Sequence, residues 1–169
     1  VKQILIIDTG YLDELYQVPG KSSPDGHQRV KEKFAEAVQN NALRFVPYTC
    51  ILELGNHIAR VNNGSKRREL ALRLASDVRL TVSTNAGDAT DRPWTITPAS
   101  KIEVLPDICD RFAQHHVSHK VGLVDAFVLE ETERLRSIYQ SQGYRIHIWT
   151  TDSALKAQEP DQEPNPFPG

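Results

Sequence analysis

Apolar positions along the chain follow two rhythms. Ile4, Leu5, Ile6 and Ile7 form an unbroken apolar run that stops at Asp8, as a strand covered on both faces requires. Leu43 to Val46 predicts a second strand, and Arg145 to Thr150 a further one with Ile146 and Ile148 on one face. Elsewhere the spacing is helical. Tyr11 to Tyr16 predicts a short helix broken at Pro19-Gly20. Gln28 to Asn40 puts Val30, Phe34, Ala37 and Val38 on one face. Thr49 is the expected cap of a helix that turns Ile51, Leu52, Leu54, Ile58 and Val61 to a core. Asn62-Asn63-Gly64 ends it, and Ser65 opens another helix to about Ser76. Leu105-Pro106 starts a helix to about His116, and Leu123 to Gln142 is a long amphipathic helix closed by Gly143. Asp152-Ser153 caps a last short one.

Two segments break this order. In residues 77–100, Leu80-Thr81-Val82-Ser83 and Trp94-Thr95-Ile96-Thr97 alternate like strands around a long turn, so a hairpin insertion is expected. From Gln158 the chain reads QEPDQEPNPFPG, a proline-rich extended tail over 158–169 with little to bury beyond Phe167. The rest, 1–157, alternates strands and helices. That order predicts an α/β domain with a mostly parallel sheet and helices on both faces. Ligands of such sheets bind beyond the carboxyl ends of the strands.

Composition narrows the reading. The 169 residues correspond to one domain at roughly 150 residues each. The 22 acidic and 20 basic side chains nearly cancel, which argues against a nucleic-acid coat protein or a cationic membrane binder. The run Ile4–Ile7 is too short for a bilayer span or a signal peptide. Cys50 and Cys109, the only two cysteines, suit buried thiols in a cytoplasmic chain rather than a disulfide scaffold.

The chemistry lies in the acids. Asp8 ends the first strand, and Asp152 lies two residues beyond the last. Glu53 falls early in the helix after the second strand, and Asp125 starts the long helix. All four can reach one edge of the sheet. Carboxylates gathered there repel one another. A divalent cation that prefers oxygen ligands, Mg²⁺ or Mn²⁺, relieves that repulsion and makes bound water more acidic. The pattern points to metal-dependent phosphodiester hydrolysis. Taken singly, an acid at a strand end or helix N-terminus is more often a cap or dipole partner than a metal ligand.

Four ordered motifs carry a resemblance. Ile4-Leu5-Ile6-Ile7-Asp8-Thr9-Gly10-Tyr11-Leu12 resembles the opening of a PIN domain, and Val46-Pro47 with Leu52-Glu53-Leu54 its second acidic motif. Gly122-Leu123-Val124-Asp125-Ala126-Phe127 and Trp149-Thr150-Thr151-Asp152-Ser153-Ala154-Leu155 are similar to the third and fourth. The set is most like the VapC-type toxin ribonucleases. The resemblance implies a three-layer α/β/α sandwich and a Mg²⁺- or Mn²⁺-dependent endoribonuclease with Asp8, Glu53, Asp125 and Asp152 at the metal. It also implies an RNA substrate, a homodimer and an antitoxin protein as partner. Thr9 and Thr151 match polar positions beside the family acids that orient a carboxylate or a water.

Other features are weighed beside it. Arg60, Lys66, Arg67, Arg68 and Arg73 form a basic run that suits either phosphate contacts or a solvated face. Tyr11 suits base stacking or packing. His57, one turn after Glu53, is expected to hydrogen-bond near the site rather than to ligate a metal. His115, His116 and His119 suit a solvated helix end. Asp8-Thr9-Gly10 also matches the aspartic protease signature, but that fold is all-β and this chain is rich in helix-length amphipathic segments. A haloacid dehalogenase-type phosphatase needs a second acid where Gly10 stands. The remaining rival is a non-catalytic PIN-like module that binds RNA or protein.

Overall fold

The computed structural model describes residues 2–82, 93–97, 102–116, 118 and 121–163. Its strands are β1 (Lys2–Ile7), β2 (Leu43–Pro47), β3 (Thr95–Thr97) and β4 (Tyr144–Trp149). They form one sheet in the order β3-β2-β1-β4, and every pairing is parallel. Ile4 pairs with Leu43 on one side and with Ile146 on the other. The apolar run Ile4–Ile7 is thus central and fully covered, which is why it lacks the polar alternation of a half-exposed strand.

Two helices, α1 (Thr9–Tyr16) and α2 (Pro24–Gln39), join β1 to β2. From β2, α3 (Tyr48–Ala59) and α4 (Gly64–Val82) lead to β3, and α5 (Leu105–Arg111) and α6 (Leu123–Tyr139) lead to β4. A short helix, α7 (Ser153–Lys156), follows β4. The first two crossovers step one way across the sheet and the third steps back. Right-handed connections therefore put α1 to α4 on one face and α5 and α6 on the other. Contacts agree: α1 packs on α2 and α3, α3 on α4, and α6 on β2 and β4. The expected α/β/α sandwich is the fold, with its core between these layers.

Local chemistry sets the helix ends. The Ser23 hydroxyl accepts the Gly26 amide at 2.9 Å and Pro24 opens α2. Asp152 caps α7 by accepting the Ala154 and Leu155 amides, as its sequence predicts. Gly143, at φ 76°, closes the turn after α6 in a conformation that glycine adopts without strain. The expected cap Thr49 instead lies inside the first turn of α3, which starts directly after Pro47.

Three expectations are corrected. Residues 77–82 continue α4 rather than forming a strand, and β3 pairs in parallel with β2, so no hairpin joins them. Tertiary contacts explain the extension. Tyr16 donates its hydroxyl to Asp77, Arg73 covers the Tyr16 ring at 4.3 Å, and Thr81 bonds back to the Asp77 carbonyl. Residues 83–92 and 98–100 of that insertion lie outside the described residues. Val38 and Leu52 face outward, Leu52 being 51% exposed. Cys109 is only half-buried, whereas Cys50 is fully buried.

The start of the tail has a specific seat. The segment through Glu163 lies along the outer edge of β4, where Glu159 accepts the Ile148 amide at 3.1 Å and Asp161 the Ile146 amide at 2.7 Å. The Asp161 carbonyl accepts from His147 Nδ1. Lys156 Nζ donates to the Ile148 carbonyl, Glu159 and Glu163, and Glu163 also pairs with Lys33 at 2.8 Å. Those two ammonium groups hold the Glu163 carboxyl below its ordinary range despite burial. Phe167 lies outside the described residues.

Candidate functional site

The register aligns the carboxyl ends of the central strands. Ile7 pairs with Trp149, and Ile6 with Phe45. Asp8 and Thr150 therefore leave the sheet at one level, beside the end of β2 at Pro47. Between β1 and β4 the strand order reverses, and such a switch point opens a crevice outside the sheet. Asp8 stands at that point. Its amide donates to the Trp149 carbonyl at 2.9 Å, which locks the end of β1 to β4.

Asp8 is 5% exposed. Thr150 donates its hydroxyl to Asp8 Oδ2 at 2.8 Å, and the Cys50 thiol lies 3.8 Å from Oδ1. Burial raises the Asp8 carboxyl to about 6. The Thr150 bond opposes that rise and the charge on Asp125 adds to it. The Thr9 and Gly10 amides also pull the carboxyl down, although neither makes an N-capping bond of ordinary geometry with it. The thiol of Cys50 is itself pushed up by burial first, then by the Asp8 charge and by Glu53.

Asp125 lies in the first turn of α6 and accepts the Gly122 amide at 2.7 Å, the reciprocal half of a capping box. Burial raises its carboxyl, and the charges on Asp152 and Glu53 raise it further. Asp125 thus lies within electrostatic reach of Asp8, Glu53 and Asp152. Glu53 lies half-buried on α3, while Asp152 is exposed and spends Oδ1 on its cap. Four carboxylates supply hard oxygen donors, a set that fits Mg²⁺ or Mn²⁺ better than a softer metal. Among the described residues, no three His, Cys, Asp or Glu side chains already converge within reach of one ion.

The threonine that holds Asp8 is Thr150, whereas the sequence reading gives that role to Thr9 and Thr151. The Thr9 hydroxyl is buried without a hydrogen-bond partner of ordinary geometry. Thr151 packs against Gly10, where a Cβ would overlap its hydroxyl, so the first and fourth motifs interlock at that glycine. Tyr11 is fully buried and stacks on Trp149 with centroids 4.8 Å apart, which removes it as a base platform.

Sequence reasoning missed Asp13. It is buried on α1, and both its oxygens bond His57 Nδ1, at 2.8 and 3.1 Å. Burial raises the Asp13 carboxyl, the His57 interaction and Lys21 lower it, and Glu53 raises it again. The available signal was a second acid on the buried face of the first helix. His57 is the hydrogen-bonding residue expected of it.

The basic residues stand apart. Arg60 caps the end of α3, about 10 Å along the axis from Glu53. Lys66 pairs with Glu69, and Arg67 donates to the Val61 carbonyl, while Arg68 is exposed. Among the described residues, no lysine or arginine is one of the charges that act on Asp8 or Asp125. His115 and His116 end the turn after α5, and His119 lies outside the described residues. Two concavities of the described surface, of about 250 and 160 Å³, lie beside α6 and beside α2, away from the acids. No described helix is long and apolar enough to cross a membrane.

The fold is that of an α/β protein with a buried aspartate, Asp8, at the switch point of a parallel sheet. Set against known protein families, curated proteins and solved structures, the chain matches none of them.

Proposed function

We propose that this chain is a Mg²⁺- or Mn²⁺-dependent endoribonuclease of the PIN-domain kind, most like the VapC-type toxins. The observation that supports the reading is the placement of Asp8 after β1, Asp152 after β4, Glu53 early in α3 and Asp125 at the start of α6, all at the end of the sheet where ligands bind. Asp8, Asp125 and Asp152 would hold the cation directly or through water, and Glu53 would complete the set and accept a proton from the water that attacks phosphorus. When bound, the cation would supply an acidified water and stabilise charge on the phosphate. Thr150 orients the Asp8 carboxylate. The P–O3′ bond breaks, leaving a 5′-phosphate and a 3′-hydroxyl.

Tyr48, 44% exposed at the start of α3, takes the place of Tyr11 as the aromatic a base can reach. Arg60, Lys66, Arg67 and Arg68 position the RNA backbone further out. The same reading adds a homodimer, an antitoxin that covers the acids, and a cytoplasmic setting. The rival, a non-catalytic PIN-like module binding RNA or protein, is favoured by one observation: no three ligating side chains already converge among the described residues.

Cleavage of labelled total RNA with Mg²⁺ or Mn²⁺, beside an EDTA control, decides between them. Asp8→Asn and Asp125→Asn are expected to lose about a hundredfold or more, since even an outer partner of a metal ligand is worth 10- to about 100-fold. Full activity in either variant overturns the assignment. RNA or metal binding without cleavage by the wild type selects the rival.

A further inference from the structure

We propose that the Asp13–His57 pair positions Glu53 against Asp8, as a brace between α1 and α3; this rests on the metal-dependent reading above. Asp8 is the N-cap of α1 and Asp13 lies five residues into the same segment. Glu53 and His57 are one turn apart on α3. The helices pack on each other, and the bidentate contact of 2.8 and 3.1 Å ties them one turn or so below the two acids. A slide or roll of α3 against α1 would carry Glu53 away from Asp8, and the brace opposes it.

The pair is costly as mere packing. Asp13 is 4% exposed, and burying a carboxylate is unfavourable unless a partner compensates it. Two groups compensate it, His57 and Lys21, while Glu53 works against it. The Asp13 carboxylate thus feels the acid that its partner's helix presents to the site. An interhelical contact that tolerates this repulsion fixes the spacing of the two acids as well as the helices.

Geometry and charge make opposite predictions, which makes the proposal testable. If only charge mattered, Asp13→Asn would weaken cation binding, and His57→Ala, which leaves Asp13 only Lys21 to offset its charge, would tighten it. A brace requires both to weaken it. The measurement is Mn²⁺ affinity of the full chain, read from the spin-resonance signal of free Mn²⁺. Asp13→Asn and His57→Ala are each expected to lose about tenfold, in the range of outer-shell partners. His57→Asn, whose amide can replace the Nδ1 donor, is expected to stay within about threefold of the wild type. At saturating Mn²⁺, kcat for RNA cleavage should fall in the two weakened variants with KM little changed. A melting temperature for each variant separates misplacement from unfolding, and His57→Leu, which also lacks the donor but keeps the bulk, takes the place of His57→Ala if that variant does not fold. Affinity changes of opposite sign, or none, in Asp13→Asn and the donor-less His57 variant overturn the brace. A wild type that binds no Mn²⁺ overturns the nuclease reading itself, and the brace with it.

Discussion

At the scale of the residue, Asp8 concentrates the conflict between folding and chemistry. Its carboxyl is raised from 3.8 to about 6, chiefly by burial, so the charged form is disfavoured in the folded chain. The sign follows. The penalty is absent below about pH 4, grows as the pH rises towards 6, and is complete above it. Asp8→Asn should therefore melt higher than the wild type at pH 7, by up to about 3 kcal/mol of stability, and show no advantage at pH 4. Thermal unfolding at the two pH values checks this, and an advantage that does not shrink on acidification would contradict it. Asp125 is raised for the same first reason and should behave alike in direction. Asp8 was legible because a four-residue apolar run ends on it. Thr150 was not, because its role depends on pairing Ile7 with Trp149, a register no local pattern specifies.

Among the elements, α3 tests how well periodicity reads a face. The sequence puts Leu52 and Leu54 on one apolar set, but Leu54 is fully buried and Leu52 is half in solvent. Leu54→Ala should cost about 2–5 kcal/mol, whereas Leu52→Ala should stay within about 0.5 kcal/mol. Denaturant midpoints for the two variants separate them. If Leu52 proves as costly as Leu54, a partner covers that face. The same helix shows why the acidic motif was readable: Glu53 needs only to follow the second strand closely, and connection length alone secures that. The end of α4 was misread for the opposite reason. Leu80 to Val82 alternates like a strand, and only the contacts of Asp77 and Arg73 with Tyr16, sixty residues away in sequence or thereabouts, keep it helical.

For the whole molecule, a parallel sheet whose order reverses beside β1 places acids from the ends of β1 and β4, from α3 and from the start of α6 at one end of the sheet without any long-range motif. The α/β class and the end of the sheet to search were therefore legible from element order alone. The partner of each strand was not. Divalent cations should stabilise the whole fold through that convergence: Mn²⁺ at a hundred times its dissociation constant should add about 2.7 kcal/mol, reversed by EDTA and absent in Asp125→Asn. The opposite edge of the sheet carries a different lesson. A strand edge is a template, and a sheet can be copied by any chain that lays its own amides and carbonyls along it. β3 offers little to copy, being three residues long. β4 is twice that length, and its outward amides are already answered by Glu159 and Asp161, side chains doing the work of a neighbouring backbone. Removal of residues 158–169 should make the protein associate in a concentration-dependent way, visible as rising light scattering. Residues 158–163 are then less a loose tail than a full stop: they write in charge where the sheet must cease to grow.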